Sequence, residues 1–388
     1  MDMIPRTAEQ LVHELLSGFP IVTVTGPRQS GKTTLVRAVL GERPYLSLED
    51  PDIRALATDD PRGFLSRFPD GAILDEVQRV PPLFSYLQTA VDQDLRMGRF
   101  LLTGSQQFGL LSGISQSLAG RTAFVELLPL TVEELDAVHA RPRDLESMLY
   151  TGGYPAIYDR PVAPRHWFPA YVTAYVERDV RQLLQVHDLA AFQRFIRLCA
   201  GRSGQLLNLS SLATDCGITH NTAKAWLSVL EASYVLFLLR PHHANFNKRL
   251  IKAPKLYFHD TGLLCWLLGL QASEQLMVHP LRGAVFETFV VSELRKRFLN
   301  RGEPPSFYFW RDSNGNEVDL LIERAGRLTP VEIKSGQTLN RDFFTGLERW
   351  TKLAGALASN PTLVFGGEGQ QTRNDVQILG WEQLDALV

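Results

Sequence analysis

The chain has 388 residues, which is too long for one ordinary hydrophobic core and predicts two or three domains. Hydrophobic residues make up 45% and charged residues 21%, and the net charge of −2 gives no global attraction to nucleic acid or to an anionic membrane. Any such binding must use a local patch.

The cysteines and the N-terminal segment bear on the compartment. Cys199, Cys216 and Cys265 are scattered and form no CxxC or Cys/His spacing, so they support neither a disulfide framework nor a zinc site. The opening MDMIPRTAEQLVHELL lacks the apolar stretch of a signal peptide, and no run of about 18 apolar residues occurs. We expect a cytoplasmic protein without a membrane segment.

The first chemical motif follows a short β-branched strand that begins at Ile21. Gly26, Gly31, Lys32 and Thr33 match G-x-x-x-x-G-K-[ST], and an apolar helix pattern resumes at once. In this loop, backbone N–H groups and a helix N-terminus bind phosphates, lysine reaches the β/γ-phosphates and the hydroxyl helps to hold Mg²⁺. A chance match is the alternative. The predicted ATP-binding residues are Gly26, Pro27, Arg28, Gln29, Ser30, Gly31, Lys32, Thr33, Thr34 and Ser105.

A second buried strand, Ala72 to Leu74, runs into two carboxylates. A P-loop enzyme needs acids of different duties there, so we predict that Asp75 supports Mg²⁺ and that Glu76 is the general base for the attacking water. An ordinary helix cap is the alternative. The Asp-Glu pair favours an ATPase with a catalytic glutamate over a kinase or small GTPase.

The next two strands carry weaker signals. The strand from Arg99 to Gly104 ends near polar side chains, and ligands of parallel sheets lie at the carboxyl ends of strands. The candidates for sensing the γ-phosphate or orienting water are Thr103, Ser105 and Gln106, and a polar strand-to-helix turn is the alternative. Arg121 precedes the last strand and could stabilise transition-state charge in its own or a neighbouring subunit of a homo-oligomer, or could form a surface salt bridge.

These motifs carry a family resemblance. The loop GPRQSGKTT, the pair LDE, the sensor-like LLTGSQQ and Gly120-Arg121 together resemble an AAA-type ATPase of a large prokaryotic family whose C-terminal part is a domain of unassigned function. The segments around TGGYP and YVERDVRQLL are similar to that family as well. The resemblance spans nearly the whole chain and implies an ATPase.

The middle of the chain predicts a winged helix. A helix around Leu209 to Ala213, a turn at Gly217 and a second helix capped by Thr219 form a helix-turn-helix, followed by two strands around a loop. Five basic residues with no acid among them could contact DNA phosphates through this wing, although a protein-docking spacer is the alternative. They are Arg240, Lys248, Arg249, Lys252 and Lys255.

The C-terminal part predicts a helix and three strands with charged residues at set positions. Glu332 and Lys334 share one face of a strand because side chains alternate, and Asp319 on the adjacent strand can meet Glu332. The two carboxylates could hold Mg²⁺ with Lys334 near the attacking water, as hydrolysis of a phosphodiester requires, and Glu287 on the helix could complete the Mg²⁺ shell. This D…ExK pattern resembles the PD-(D/E)XK nuclease superfamily, except that no proline precedes Asp319. Ordinary cross-strand ion pairs are the alternative.

The sequence therefore predicts an α/β protein in three parts. A P-loop parallel-sheet ATPase core occupies residues 1–145, a helical and winged-helix domain 146–265 and a restriction-endonuclease-like α/β domain 266–388. ATP hydrolysis would control a DNA-interacting, nuclease-like C-terminal half. Two alternatives stay open, which are an ATP-dependent switch that docks a protein partner through a silent C-terminal domain, and a metal-dependent nuclease licensed by ATP.

Overall fold

The computed structural model describes the chain except for its first three residues and four internal stretches. The described ranges are residues 4–105, 118–160, 162–176, 188–242 and 252–388. Within them, no helix combines the length and the apolar character that a membrane span requires.

The N-terminal part is built on a five-stranded parallel sheet in the order β2-β3-β4-β1-β5. Its strands are β1 Ile21–Thr25, β2 Tyr45–Ser47, β3 Ala72–Asp75, β4 Phe100–Gly104 and β5 Thr122–Glu126. Its helices are α1 Ala8–Gly18, α2 Lys32–Val39, α3 Pro51–Asp59, α4 Pro61–Ser66 and α5 Leu83–Gln93, and a 3-10 turn covers Val77–Arg79. Separate apolar clusters cover the two sheet faces, as parallel strands require.

The strand order places a crevice beside β1. β1 lies between β4 and β5, and both of these strands come later in the sequence. The chain therefore leaves β1 into helix α2 and not into a neighbouring strand. In open α/β sheets the crevice at the carboxyl ends of such strands is where ligands bind. The loop after Thr25 opens into this crevice.

A helical region follows. It contains α6 Val132–Asp136, α7 Leu145–Thr151, α8 Pro155–Asp159, α9 Pro164–Tyr171, α10 Leu189–Ala200, α11 Leu209–Cys216, α12 His220–Ala232, α13 Thr261–Leu267 and α14 Glu274–Met277, with a π-helical turn at Val172–Val176. The predicted turn between α11 and α12 is present: Gly217 has φ 73°, and the Thr219 side chain accepts a hydrogen bond from Thr222 N at 3.1 Å.

The C-terminal part carries a mixed eight-stranded sheet in the order β12-β13-β11-β10-β9-β8-β6-β7. Its strands are β6 Leu236–Pro241, β7 Lys255–Phe258, β8 Phe307–Arg311, β9 Glu317–Arg324, β10 Arg327–Lys334, β11 Thr362–Phe365, β12 Gln370–Arg373 and β13 Val376–Gly380. The helices are α15 Arg282–Asn300 and α16 Thr345–Ala354, with 3-10 turns at Arg341–Phe344, Gly355–Leu357 and Leu384–Leu387. The hairpin β6–β7 thus shares a sheet with the C-terminal strands, because Arg240 pairs with Tyr308.

Helix α15 joins the C-terminal part to the first sheet. Its Glu293 is fully buried, accepts a hydrogen bond from Val132 N at 2.8 Å and pairs with Lys296 and Arg297. Lys296 Nζ also donates to Leu130 O at 2.8 Å. A buried charge survives only when it is paired in this way, so the junction is a specific contact between the two parts.

Candidate nucleotide-binding site

The loop after β1 needs its two motif glycines. Gly26 has φ 146°, and a Cβ on it would lie 2.1 Å from Leu127 O, in the segment that follows β5. Gly31 has φ 93° and precedes the first residue of α2. Both conformations favour glycine, so the loop backbone approaches its neighbours more closely than another residue would allow.

Lys32 lies across the mouth of the loop. Its side chain is buried, and Nζ donates to Gly26 O at 3.0 Å and to Pro27 O at 2.7 Å. The ammonium is thus held where the loop amides and the N-terminus of α2 favour an anion.

Asp75 receives three hydroxyl groups. Thr33 Oγ1 donates to Oδ2 at 3.0 Å and Tyr45 OH to the same oxygen at 2.5 Å, while Thr103 Oγ1 donates to Oδ1. Burial, and then the hydrogen bond to Asp75, raise the pKa of Tyr45 well above its usual value, so it stays a donor. A hydroxyl and a carboxylate in contact are hard oxygen donors of the kind Mg²⁺ takes, so Thr33 and Asp75 fit the predicted metal role.

Glu76 has a constrained backbone and a restrained side chain. Its φ is 57°, an uncommon value for a non-glycine residue, and its N–H donates to Thr103 Oγ1 at 3.1 Å. The carboxylate accepts bonds from Gln78 Nε2 at 2.5 Å and from Ser105 Oγ at 3.1 Å. Ser105, predicted to bind nucleotide, therefore contacts the predicted base. Gln106 lies outside the described residues.

A cavity of about 560 Å³ opens beside the loop. One wall consists of Arg28, Gln29, Gly31, Lys32, Thr33 and Thr34, with Glu49 and Glu76. The other consists of Ile4, Arg6, Leu130, Pro155, Ala156, Asp159 and Arg160. The volume lies within the roughly 300–1,000 Å³ typical of small-molecule sites. Pro27 and Ser30 belong to the loop but do not line this space.

Sequence reasoning missed the second wall. Arg6 is the best fixed of these residues: Nη1 donates to Ser30 O at 2.6 Å, Nη2 to Leu128 O at 2.8 Å and Nε to Glu134 Oε1 at 3.0 Å. The segment TGGYP leads directly into the wall residues from Pro155 onward. The TGGYP motif was the available sequence signal for this wall, but its residue types do not indicate which ligand would bind there.

Arg121 lies away from this cavity. It precedes Thr122, which pairs with Ile21 at the start of β1, whereas the phosphate loop follows the end of β1. Its guanidinium forms a two-pronged pair with Asp92, at 2.5 and 2.9 Å. Arg121 therefore forms the surface salt bridge that was the alternative prediction. A role in the nucleotide site of its own chain does not fit, because the length of β1 separates Arg121 from the phosphate loop.

The predicted basic patch is divided by the structure. Arg240 and Lys252 are exposed, while Lys248 and Arg249 lie outside the described residues. Lys255 is 3% exposed and pairs with Glu287 and Glu317. Its assignment to a DNA-contacting patch was wrong, because Lys255 begins β7 and its side chain turns into the C-terminal part.

The predicted strand cluster of the C-terminal part is assembled. Lys334 Nζ lies 2.5 Å from Glu332 Oε1 and 3.6 Å from Asp319 Oδ2. Asp319 Oδ2 also accepts a hydrogen bond from Ile333 N at 2.9 Å. Burial, and then the nearby Asp319 charge, raise the pKa of Glu332 to about 8. The predicted face-sharing of Glu332 and Lys334 is what brings these three groups together.

Glu287, the third predicted metal ligand, is held by other partners. Lys255 Nζ lies 2.9 Å from its Oε1, and Tyr257 OH donates to the same atom at 2.5 Å. Burial, and then Asp319, raise the pKa of Glu287 to about 7, and Lys255 opposes the rise. Among the residues that the structure describes, no group of three or more His, Cys, Asp or Glu side chains is arranged to hold a metal ion. Lys255 and Tyr257 thus occupy the Glu287 oxygen that the predicted Mg²⁺ shell would use.

Two solved structures that were matched to this chain share little sequence with it. The Walker-type ATPase PABY2304 of Pyrococcus abyssi is 16% identical, with a TM-score of 0.47, over 69% of this chain and 96% of that one. AMPPCP-bound DnaA from Aquifex aeolicus is 17% identical, with a TM-score of 0.31, over 58% of this chain and 85% of that one.

Three family matches follow one another along the chain. Residues 18–136 match an AAA domain, residues 142–274 a domain of unknown function (DUF8612) and residues 282–384 a second domain of unknown function (DUF4143). The first match covers the phosphate loop, Asp75 and Glu76. The predicted AAA-type P-loop ATPase domain is therefore confirmed.

Two mycobacterial proteins resemble the chain over most of its length. The uncharacterized protein Rv2008c of Mycobacterium tuberculosis and the uncharacterized protein Mb2031c of Mycobacterium bovis are each 34% identical over 336 residues, which is 86% of this chain and 74% of each relative. The chain belongs to the family of these two mycobacterial proteins and carries an AAA domain at residues 18–136.

Proposed function

We propose that the protein binds and hydrolyses ATP and that its nucleotide state controls the C-terminal half. One observation carries the proposal. Thr33 Oγ1 lies 3.0 Å from Asp75 Oδ2, and Glu76 follows Asp75 in the chain. The phosphate loop lines a cavity of about 560 Å³ beside these residues. Nucleotide, metal and attacking water need these groups at one edge of one sheet.

Each group has a distinct task. Lys32 and the loop amides hold the phosphates, and Thr33 and Asp75 hold Mg²⁺, which would neutralise charge on the transferred phosphoryl group. Glu76 accepts the proton of the attacking water, and Ser105 and Gln78 orient its carboxylate. Arg6 and Arg160 close the opposite wall.

The proposed control of the C-terminal half rests on contacts at the base of the loop. Tyr234, buried just before β6, donates its hydroxyl to Thr25 Oγ1 at 2.9 Å, and Thr25 is the residue before Gly26. The Glu293 junction lies on the same side, against the segment after β5. A shift of the phosphate loop would therefore act on buried neighbours, Tyr234 and the Glu293 junction.

The first prediction is Mg²⁺-dependent ATP hydrolysis by the full chain. Thr33→Val keeps the size of the side chain but removes its metal-binding hydroxyl, so we expect hydrolysis to fall at least tenfold, with more Mg²⁺ needed for half-maximal rate. Phosphate release is measured across a Mg²⁺ titration. The control is Thr58→Val on exposed α3. Hydrolysis that is equal in EDTA and in Mg²⁺ would refute the proposal.

Contact with DNA is a second candidate, favoured by an exposed polar helix face. His220, Asn221 and Lys224 are exposed on the first turns of α12, and Arg240 and Lys252 flank the adjoining hairpin. A winged helix would place such a helix in a groove and the hairpin basic residues on phosphates. We propose this arrangement for residues from α10 to β7.

The DNA proposal predicts a salt-dependent affinity. The double variant Arg240→Glu/Lys252→Glu should bind duplex DNA about tenfold or more weakly, and the slope of log affinity against log salt should fall by about two, because two phosphate contacts are lost. Fluorescence anisotropy at several salt concentrations measures both. The matched control reverses the exposed Arg62 and Arg67 at α4. If both double variants bind equally well, DNA contact through the hairpin is wrong.

The fold of the C-terminal half favours a nuclease-like ancestry. A helix bearing Glu287, three strands bearing Asp319, Glu332 and Lys334, a second helix and a further strand follow in that order. This sequence of elements supports a restriction-endonuclease-like domain. It does not assign cleavage to the domain, because Glu287 is bound to lysine and tyrosine.

A further inference from the structure

Lys255 is buried beside three carboxylates, Glu287, Glu317 and Asp319, which together with it form one cluster. Its side chain is 3% exposed, with Nζ 2.9 Å from Glu287 Oε1 and in contact with Glu317. Asp319 is close enough to contribute to the same electrostatic attraction, which raises the pKa of Lys255 although burial opposes the rise. The ammonium therefore stays charged among three carboxylates from α15 and β9.

Neighbouring groups fill the space around the Lys255 ammonium and the Glu287 carboxylate. Lys255 Nζ lies 5.6 Å from the centre of the Phe309 ring, and Tyr257 OH donates to the Glu287 oxygen that Lys255 also contacts. On the other side, a Cβ at Gly204 would lie 3.5 Å from Glu287 Oε2. A second cation in the same place would meet the lysine charge at close range.

We infer that the Lys255 ammonium takes the place of a divalent cation beside Glu287 and Glu317, so that this cluster binds no metal ion. Glu287 and Glu317 face the ammonium, Glu332 Oε1 faces Lys334, and one Asp319 oxygen accepts the backbone bond from Ile333. Lys255 thus supplies the positive charge that a bound metal would bring to Glu287 and Glu317, whereas Glu332 Oε2 is buried without a hydrogen-bond partner among the described residues.

The inference has a structural consequence. Lys255 comes from β7, whereas its partners come from α15 and from β9 of the same sheet, so the ion pairs hold the β6–β7 edge of the sheet to α15 and β9. Removing one partner of a buried charge group leaves the others unpaired. The cluster thus holds the hairpin β6–β7 against α15 and β9 within the C-terminal part.

Manganese titration of the nucleotide-free full chain tests this inference. Asp75→Asn is introduced throughout, so that the AAA domain adds no metal site. We expect this protein to take up no Mn²⁺ at the cluster up to millimolar concentrations. Lys255→Met should bind about one equivalent, because it frees Glu287 and Glu317. Electron paramagnetic resonance of free Mn²⁺ measures the uptake, and thermal unfolding with and without Mn²⁺ reports stabilisation.

Two comparisons make the outcome decisive. Lys252→Met removes a nearby exposed lysine and should leave Mn²⁺ uptake unchanged. Uptake by the Lys255-containing protein that Glu287→Gln abolishes would overturn the inference, and so would a folded Lys255→Met protein that takes up none. If Lys255→Met does not fold, the titration of the Lys255-containing protein still decides between the two accounts. The test does not depend on ATP hydrolysis.

Discussion

Glu76→Gln is expected to retain ATP and lose its hydrolysis. The amide keeps the size of the side chain but cannot accept the proton of the attacking water, and loss of a general base typically costs roughly 10²- to 10⁴-fold in rate. Binding should be unchanged, because the phosphate loop and Lys32 hold the nucleotide. Single-turnover hydrolysis and fluorescent-nucleotide titration measure the two effects separately.

The control for this variant is Glu42→Gln, a neutralised carboxylate on an exposed position after α2. It should hydrolyse ATP at the unaltered rate. Undiminished hydrolysis by Glu76→Gln would remove Glu76 from the role of base. Loss of both binding and turnover would show instead that altering the contacts of this side chain with Gln78 and Ser105 disturbs the whole site.

The nucleotide site was largely predictable because its groups are local in sequence. A β-branched strand, a glycine loop and an apolar helix specify the loop from Ile21 to Val39, and an apolar strand ending in two acids specifies Asp75 and Glu76. The parallel sheet then brings the two segments to one edge. Thr33 and Asp75 meet at 3.0 Å as that reasoning requires.

The far wall of the cavity was not predictable in the same way. Arg6 and Arg160 are far apart in the sequence and belong to no nucleotide motif. Arg6 is held by Ser30, Leu128 and Glu134, and Arg160 follows α8, so both positions depend on tertiary packing, which leaves no periodic signal. Ser105 was predicted at the nucleotide site, but strand order alone does not say that it contacts Glu76.

The C-terminal cluster shows which side-chain positions strand alternation can predict and which it cannot. Alternation correctly put Glu332 and Lys334 on one face of β10. It could not place Lys255, which looked like one of five basic residues in a loop until β7 turned it toward Glu287. The domain boundary after residue 265 stays a prediction, and the hairpin before it shares a sheet with strands after it.

Lys32→Ala is the second variant with a large expected effect. It removes the buried ammonium that the loop carbonyls hold at 3.0 and 2.7 Å, and with it a charge-assisted contact to phosphate. Such contacts are worth about 1.5–3 kcal/mol, which corresponds to roughly 10- to 100-fold in affinity. The exposed Lys352→Ala is the matched control and should bind ATP normally.

Calorimetric titration of ATP with Mg²⁺ into the folded, unaltered chain tests the central claim most directly. The account predicts saturable uptake of one nucleotide per chain, weakened by Lys32→Ala and unchanged by Lys352→Ala. No uptake of ATP by the folded protein, or uptake that Lys32→Ala leaves intact, would contradict it.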